Sequence, residues 1–432
     1  MNTNDSERLA RLLNNVGFIF ADGEDDADLI ILNTCSVREH AESRIMGLME
    51  KYANRKKNGE RLVVAITGCM AGRDKDGKLR ERVKIADLFF STPEMIHLPR
   101  WIAELRPEWM ISGDEIDDYL KINPLRSSLI QAYVSIQTGC NHFCSYCVVP
   151  YARGLIRNRP LQDILAEVHD LAQKGVKEIT LLGQTVNAYR APDASNFHSH
   201  NPYQNHFAAL LWEINQIPGI ERLHYTAAHP MQMDEQVIHA LTLPKQINYL
   251  HLPVQSGSNE ILRKMNRKYT REKYLDIIEQ IRKIRPEIAL GTDIIVGYCG
   301  ETEVDFQNTV DLYKACNYDI CYTAQYSPRS GTLSQRLYPD DVPAEIKKQR
   351  WQIIQSLMED ITQQKNKIYQ DKIIKVFVES QNGEWLLGTN SEFKRARIKS
   401  QGVEIKPGSI IKAKIIKPMT WILEGEIVPS DG

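Results

Sequence analysis

The chain has 432 residues, 42% of them hydrophobic, a length that implies roughly three domains and excludes a single small module. Its 54 basic and 55 acidic residues leave a net charge of -1, so the total demands neither nucleic acid nor an anionic membrane, and any basic surface is local. Eight cysteines are too few for a disulfide scaffold, no apolar run reaches the length of a membrane span, and the opening MNTNDSERLA lacks a signal's basic-then-apolar order; the expectation is a cytoplasmic protein whose grouped thiols serve metal or redox chemistry.

From Asn4 to about Leu105 the pattern alternates. A capped amphipathic helix (DSERLARLLNNVG) precedes an apolar run ending in DLIILNT, a helix to about Tyr52 and the strand-like RLVVAIT. Such α/β alternation predicts a parallel sheet, in a first domain over 1–112. Arg106 to Ser128 breaks the rhythm with Pro, Gly and the acidic run Asp114 to Asp118, as a linker does. Six apolar strands are then predicted: QAYVSIQ, EITLLGQ, RLHYTAA, INYLHL, IALGTDIIVG and DICYTAQY. Between them lie helices at Leu161 to Lys174, Phe207 to Gln216, Asp234 to Leu241, Arg271 to Ile284 and Glu303 to Cys316. A repeated β/α unit over 127–360 forms a partial or full barrel, with its chemistry at the C-terminal strand ends. The long polar loop from Ala191 to His206 carries His198, His200 and His206, and reads as a surface insertion before a metal site.

A helix from Pro343 to about Gln370, with Ile346, Ile353, Leu357 and Ile361 on one stripe, leads out of this region. Beyond it, IIKVFVES, EWLLGTN, KRARIKS, SIIKAKII and MTWILEGEIV predict a small antiparallel β-barrel over 368–430. The fold class is therefore α/β, with a parallel-sheet domain, a central partial (β/α) barrel and a small antiparallel β-barrel at the C-terminus.

Directly after the first barrel strand comes Cys140-Asn-His-Phe-Cys144-Ser-Tyr-Cys147. Three thiolates this close, at the catalytic edge of a barrel, fit neither a tetrahedral structural zinc nor four-ligand ferredoxin spacing. A [4Fe-4S] cluster on three cysteines leaves one iron open for the amino and carboxylate groups of S-adenosylmethionine, whose reductive cleavage yields a carbon radical. A zinc knuckle completed by His142 is the competing reading. Cys35 and Cys69 each follow a predicted strand of the first domain and can share one sheet edge; they can equally be small buried hydrophobes.

With NDSERLA, LNTCSVREHA, GCMAG, GCNHFCSYCVVPYARG, LLGQTVNAY, HPMQMD, LHLPVQSGSNEILRKMNRKYT, TDIIVGYCGETEVDF and YSPRSGT, the sequence resembles the radical SAM methylthiotransferases over almost its whole length. Within them it is most similar to the tRNA-2-methylthio-N6-dimethylallyladenosine synthase (MiaB) group. The resemblance implies a methylthiotransferase N-terminal domain, a radical SAM barrel and a C-terminal TRAM domain. The activity it implies is insertion of sulfur at C2 of an isopentenylated adenosine beside the tRNA anticodon, then methylation. The same class includes enzymes for threonylcarbamoyl-adenosine or a ribosomal protein, and CVVPYARG with KMNRKYT favours the isopentenyl substrate. Partners implied are S-adenosylmethionine, the tRNA anticodon stem-loop, an electron donor and a sulfur donor.

The resemblance assigns Cys140, Cys144 and Cys147 to the S-adenosylmethionine cluster, and Cys35 and Cys69 to an auxiliary [4Fe-4S] cluster. It places Tyr146, the aromatic before the third cysteine, near the cofactor's adenine, with Phe143 in the same loop as a further cofactor-binding candidate, and the strand end at Gly183 and Gln184 near its amino group. Gln255, Ser256 and Asp293 lie at strand ends where ribose or carboxylate would be met. Two basic groups, Arg153 with Arg157 and Arg267 with Lys268, read as solvated helix ends or as holders of RNA phosphates. Lys394, Arg395 and Arg397, interleaved with Phe393, suit RNA by likeness to TRAM domains, although residues 371–432 hold only ten basic against eight acidic residues. Cys299 replaces a usual Pro and Leu155-Ile156 an acidic pair; Cys299, Cys316 and Cys321 read as core or loop thiols. The family's first auxiliary ligand lies in a Gly-Cys-x-Met-Asn segment, and Met1-Asn2 aligns with its last two residues. The expectation is an internal Met with the true start upstream; a tRNA-binding homologue that has lost sulfur insertion is the alternative.

Overall fold

The computed structural model describes residues 1–34, 39–109, 111 and 116–428, the side chains of 39–43 excepted. They form two compact units: Met1–Ser127 with Gln137–Arg157 and Arg329–Arg336, and Ser128–Ile136 with Asn158–Pro328 and Leu337–Gly432. The three-cysteine loop thus packs with the N-terminal segment, and the C-terminal β-barrel packs with the β/α repeat. Part of the expected linker, Met110 and Ser112 to Glu115, lies outside the described residues, as does Cys35.

In the first unit the strands Leu29–Thr34, Val63–Gly68 and Leu88–Phe89 pair in parallel, in that order. Val63–Gly68 is buried along its whole length, as the unbroken apolar run of a strand covered on both faces must be. Met49 and Tyr52 of the helix Glu39–Lys57 cover one face of the sheet. Leu9 and Leu12 of the helix Asn2–Asn15 cover the other, with Leu98 and Ile102 of the helix Leu98–Leu105. Buried Arg8 donates to the carbonyl oxygens of Tyr119, Leu120 and Ile122, so this part of the expected linker is held against the first helix and belongs to the core of the first unit. Along the outer edge of Leu29–Thr34 runs a groove of about 830 Å³ lined by Leu13, Phe18, Phe20, Ile31 and Trp109.

The second unit contains the six expected strands. Gln131–Ser135, Glu178–Leu182 and Arg222–Tyr225 form one parallel sheet; Tyr249–His251, Ala289–Val296 and Ile320–Gln325 form another. A parallel bridge between Leu223 and Gln246 joins the two. Leu181, Leu223, Leu250, Leu290 and Ile294 point into the helix layer. Tyr249, His251, Gly291, Asp293 and Tyr322 lie on the opposite, inward face. The repeat is therefore a partial barrel. The helices Arg271–Ile284 and Glu303–Cys316 have the expected bounds, and the short helix Asn259–Lys264 is one the sequence pattern did not suggest.

The C-terminal strands Ile373–Asn382, Trp385–Thr389, Arg395–Lys399, Ile410–Pro418 and Leu423–Ile427 close into a barrel. Arg395–Lys399 and Leu423–Ile427 pair in parallel, where an all-antiparallel module was expected; every other pair is antiparallel. The loop from Asn390 to Lys394 seats this barrel at the N-terminal ends of the β/α strands. Asn248 N–H donates to Ser391 O (2.7 Å), Arg222 donates to Asn390 O (3.2 Å), and Phe393 stacks on His224 (4.9 Å, 27°) and Tyr249 (5.5 Å, 23°).

Candidate functional site

The CxxxCxxC loop is built by backbone constraints. Gly139 has φ +80°, and a Cβ there would lie 2.1 Å from Leu155 O, so only glycine lets the loop start this close to its own return. Cys140 N–H donates to Gly154 O (3.1 Å), Ile156 N–H to Asn141 Oδ1 (3.0 Å), and Cys147 N–H to Cys144 O (2.9 Å). Ser334 N–H donates to Ser145 O (2.8 Å), drawing the segment 329–336 against the loop. Cys140 and Cys144 are buried and Cys147 half-buried, and Val149 N–H points at Cys147 Sγ (3.5 Å). Amide donors aimed at thiolate sulfur tune iron-sulfur clusters.

Three thiolates on one loop, with a backbone amide aimed at one of them, are the donor set of a three-cysteine cubane. Among the described residues no three potential ligands converge as one metal ion would require, and a cubane does not require it, since each thiolate takes a different iron. Phe143, at φ 47°, makes an edge contact with Tyr151 (6.4 Å), and Tyr146 is half-buried in the same loop.

In the same unit, Cys69 opens the short helix Cys69–Arg73 immediately after the central strand. A Cβ at Gly68 would lie 2.3 Å from Thr34 O, and Thr34 Oγ1 donates to Thr67 O (2.6 Å). The two strand ends are therefore pinned side by side. Gly72 meets Ala152 with the same closeness (2.2 Å), so this helix lies directly on the helix Val149–Arg153 behind the cysteine loop.

Arg153 is buried, and its Nη2 pairs with buried Asp5 at 2.5 Å. Burial alone would lower the guanidinium's pKa; the charges of Asp5 and Cys69 outweigh it and raise it. Such a side chain is not open to an RNA phosphate, contrary to the expectation from its place in a basic run. Arg157, half-exposed, pairs with Asp118 (2.7 Å).

In the second unit Gln184 follows the strand Glu178–Leu182, its Oε1 buried without a hydrogen-bond partner among the described residues, and Gly183 beside it is buried. Asn187 donates to His229 O (3.0 Å) and accepts from His229 N–H (2.8 Å), clamping two strand-end loops. Gln255 holds φ 72°, a conformation that costs about 1–3 kcal/mol and clusters at ligand sites. Its N–H donates to Asp293 O (2.9 Å), so Gln255 and Asp293 adjoin. Ser256 is fully buried and its hydroxyl serves Ser258 N–H and Thr309, which makes it a brace of the loop.

Arg267 is half-buried against Tyr269 and Pro253 O, while Lys268 is exposed. Lys394 pairs with Asp319 (2.8 Å). Arg397 pairs with Glu424 and lies over the Trp385 ring (4.6 Å), and Arg395 is exposed. Sequence reasoning missed His251 and Tyr249. Their alternation in NYLHL was a signal that they share the inward face.

The radical SAM superfamily profile matches residues 134–313, and that of a family described as "Uncharacterized protein family UPF0004" matches residues 1–91. The fold is similar to a radical S-adenosylmethionine methyltransferase of Kitasatospora setae, TsrM (TM-score 0.54, 17% identity, 77% of this chain and 73% of that one). The class is thus a radical SAM enzyme. A tRNA-2-methylthio-N(6)-dimethylallyladenosine synthase of Thermoanaerobacter sp. (strain X514) is 38% identical over 439 residues, covering 99% of this chain and 90% of the relative. One of Clostridium botulinum (strain Langeland) is 38% identical over 435 residues, covering 99% and 94%. By these near full-length matches the chain belongs to the MiaB-type radical SAM methylthiotransferases, and it is a transferase.

Proposed function

We propose that the chain converts N6-isopentenyladenosine next to the tRNA anticodon into its 2-methylthio derivative. The observation that carries this reading is 38% identity over nearly the full length to synthases of that name, on a chain whose CxxxCxxC loop is intact. Cys140, Cys144 and Cys147 would hold a [4Fe-4S] cluster, which when bound supplies the electron that splits S-adenosylmethionine into a 5′-deoxyadenosyl radical able to take the C2 hydrogen. Burial shields Cys140 and Cys144 from water, and Val149 N–H supports the half-buried Cys147. Gln184, Gln255 and Asp293 offer polar contacts to the cofactor. Cys69 would contribute to an auxiliary cluster together with Cys35, fed by a sulfur donor, and an electron donor is also needed. Of the basic residues, exposed Arg157, Lys268 and Arg395 are the ones offered to tRNA phosphates. No described helix is long and apolar enough to cross a membrane, and a tRNA substrate would be met in the cytoplasm.

Mass spectrometry of tRNA nucleosides from cells with and without the gene tests the proposal. Loss of 2-methylthio-N6-isopentenyladenosine with accumulation of its unmodified precursor is expected; an unchanged 2-methylthio pool overturns it. Anaerobic reconstitution gives about eight irons per chain for two clusters and about four for one.

A further inference from the structure

On the inward face of the second unit three polar side chains form a chain of hydrogen bonds, and two of them, Tyr249 and His251, have no role in the function described above. Tyr249 Oη lies 3.2 Å from His251 Nδ1, and His251 Nε2 lies 3.1 Å from Asp293 Oδ1. The arrangement has been given room. Gly291 pairs with His251 across the sheet, and a Cβ at 291 would lie 2.1 Å from Tyr249 Oη and 2.6 Å from His251 Nδ1. The Asp293 carboxylate can only accept, so Nε2 carries the proton that points at it; in the neutral imidazole Nδ1 is then the acceptor for the Tyr249 hydroxyl, which burial keeps protonated. The base of the relay is closed by Phe393, stacked on Tyr249.

Its outer end is open. The Asp293 side chain is 38% exposed. Asp293 pairs in register with Tyr322, whose side chain lies on the same face of the neighbouring strand and is 57% exposed, with its ring 5.7 Å from that of His251. A carboxylate held in one orientation beside an accessible aromatic ring is a recognition set for a planar base that carries hydrogen-bond donors.

We infer that Tyr249 and His251 are positioning residues that orient Asp293 to accept from the hydroxyl or amino donors of an adenosine stacked on Tyr322. The inference rests on the proposed function, in which both the cofactor and the RNA substrate present an adenosine; the face fits their shared chemistry.

The test uses reconstituted full-length protein and measures two affinities. One is for S-adenosylmethionine; the other is for an anticodon stem-loop oligonucleotide carrying N6-isopentenyladenosine. His251→Leu removes the donor to Asp293 and is expected to weaken one of them about tenfold or more. His251→Gln, which can still donate to Asp293, is expected to recover most of that loss. Tyr322→Ala is expected to weaken the same ligand by a similar factor, and Tyr322→Phe to leave it unchanged. Loss in the S-adenosylmethionine arm assigns the face to the cofactor's adenosine, and loss in the oligonucleotide arm to the substrate's. If His251→Leu unfolds, Asp293→Asn and Tyr322→Ala carry the test.

Unchanged affinity in both arms for folded variants overturns the inference, as does a loss that His251→Gln fails to restore. A wild-type protein that binds an adenosine through these residues yet yields no 2-methylthio product refutes the proposed function and leaves this site standing.

Discussion

Asp319 is the residue on which the seating of the C-terminal barrel most depends. Its carboxylate is 6% exposed and pairs with Lys394 of the seating loop and with Lys365 of the helix Ala344–Lys367; it also accepts Leu290 N–H (3.0 Å). Burial alone would raise its pKa, yet the two ammonium groups hold it below 3.8. Asp319→Asn keeps the shape and the Leu290 contact but leaves two ammonium groups facing each other, with side chains only 10% and 22% exposed.

Removing one partner of a buried ion pair costs about 3–5 kcal/mol, and the partial exposure of Lys365 places this case near 3 kcal/mol. Urea unfolding should show that loss, and limited proteolysis near Asp371 should release the C-terminal barrel more readily. Adding Lys394→Met to Asp319→Asn should restore about half, because one uncompensated charge is removed. Since the carboxyl's folded pKa is lowered, its contribution is present above its unfolded value and is lost as pH falls through the folded one, so wild type and Asp319→Asn should converge in acid. A change under about 0.5 kcal/mol at neutral pH, or no recovery in the double variant, refutes the reasoning.

Glu301, buried beside Arg350, has its pKa pushed up to about 7, burial outweighing the Gly297 amide and the arginine. The folded state then holds a proton that the unfolded chain releases near 4.5, so stability should fall as pH rises between those values; Glu301→Gln should flatten that slope in urea titrations. Gly139→Ala should leave the circular dichroism intact and cost about four irons per chain on reconstitution, since its Cβ would strike Leu155 O. Asp5→Asn strands the buried Arg153 guanidinium and should cost about 3–5 kcal/mol in urea unfolding, most of it regained by adding Arg153→Met.

What the sequence determined by itself was everything carried over short range. Apolar periodicity placed all six barrel strands and five of the helices between them, though not the short helix Asn259–Lys264, because period 2 and period 3.6 are properties of adjacent residues. The CxxxCxxC spacing named its own chemistry, since three ligands on one loop need no fold to bring them close. What only the tertiary structure decided were contacts across long separations. Arg153 reads as part of a basic run, but Asp5, far away in sequence, buries and neutralises it.

Lys394 and Phe393 read as an RNA-facing tip, yet Asp319, His224 and Tyr249 take them up in seating one barrel on another. Ser256 sits in a strand-end motif and proves to be an internal brace. The Tyr249, His251 and Asp293 relay crosses two strands whose pairing no local pattern reveals. Charge and aromaticity are written in the sequence; whether they face solvent, a partner or a ligand depends on which distant backbone arrives beside them.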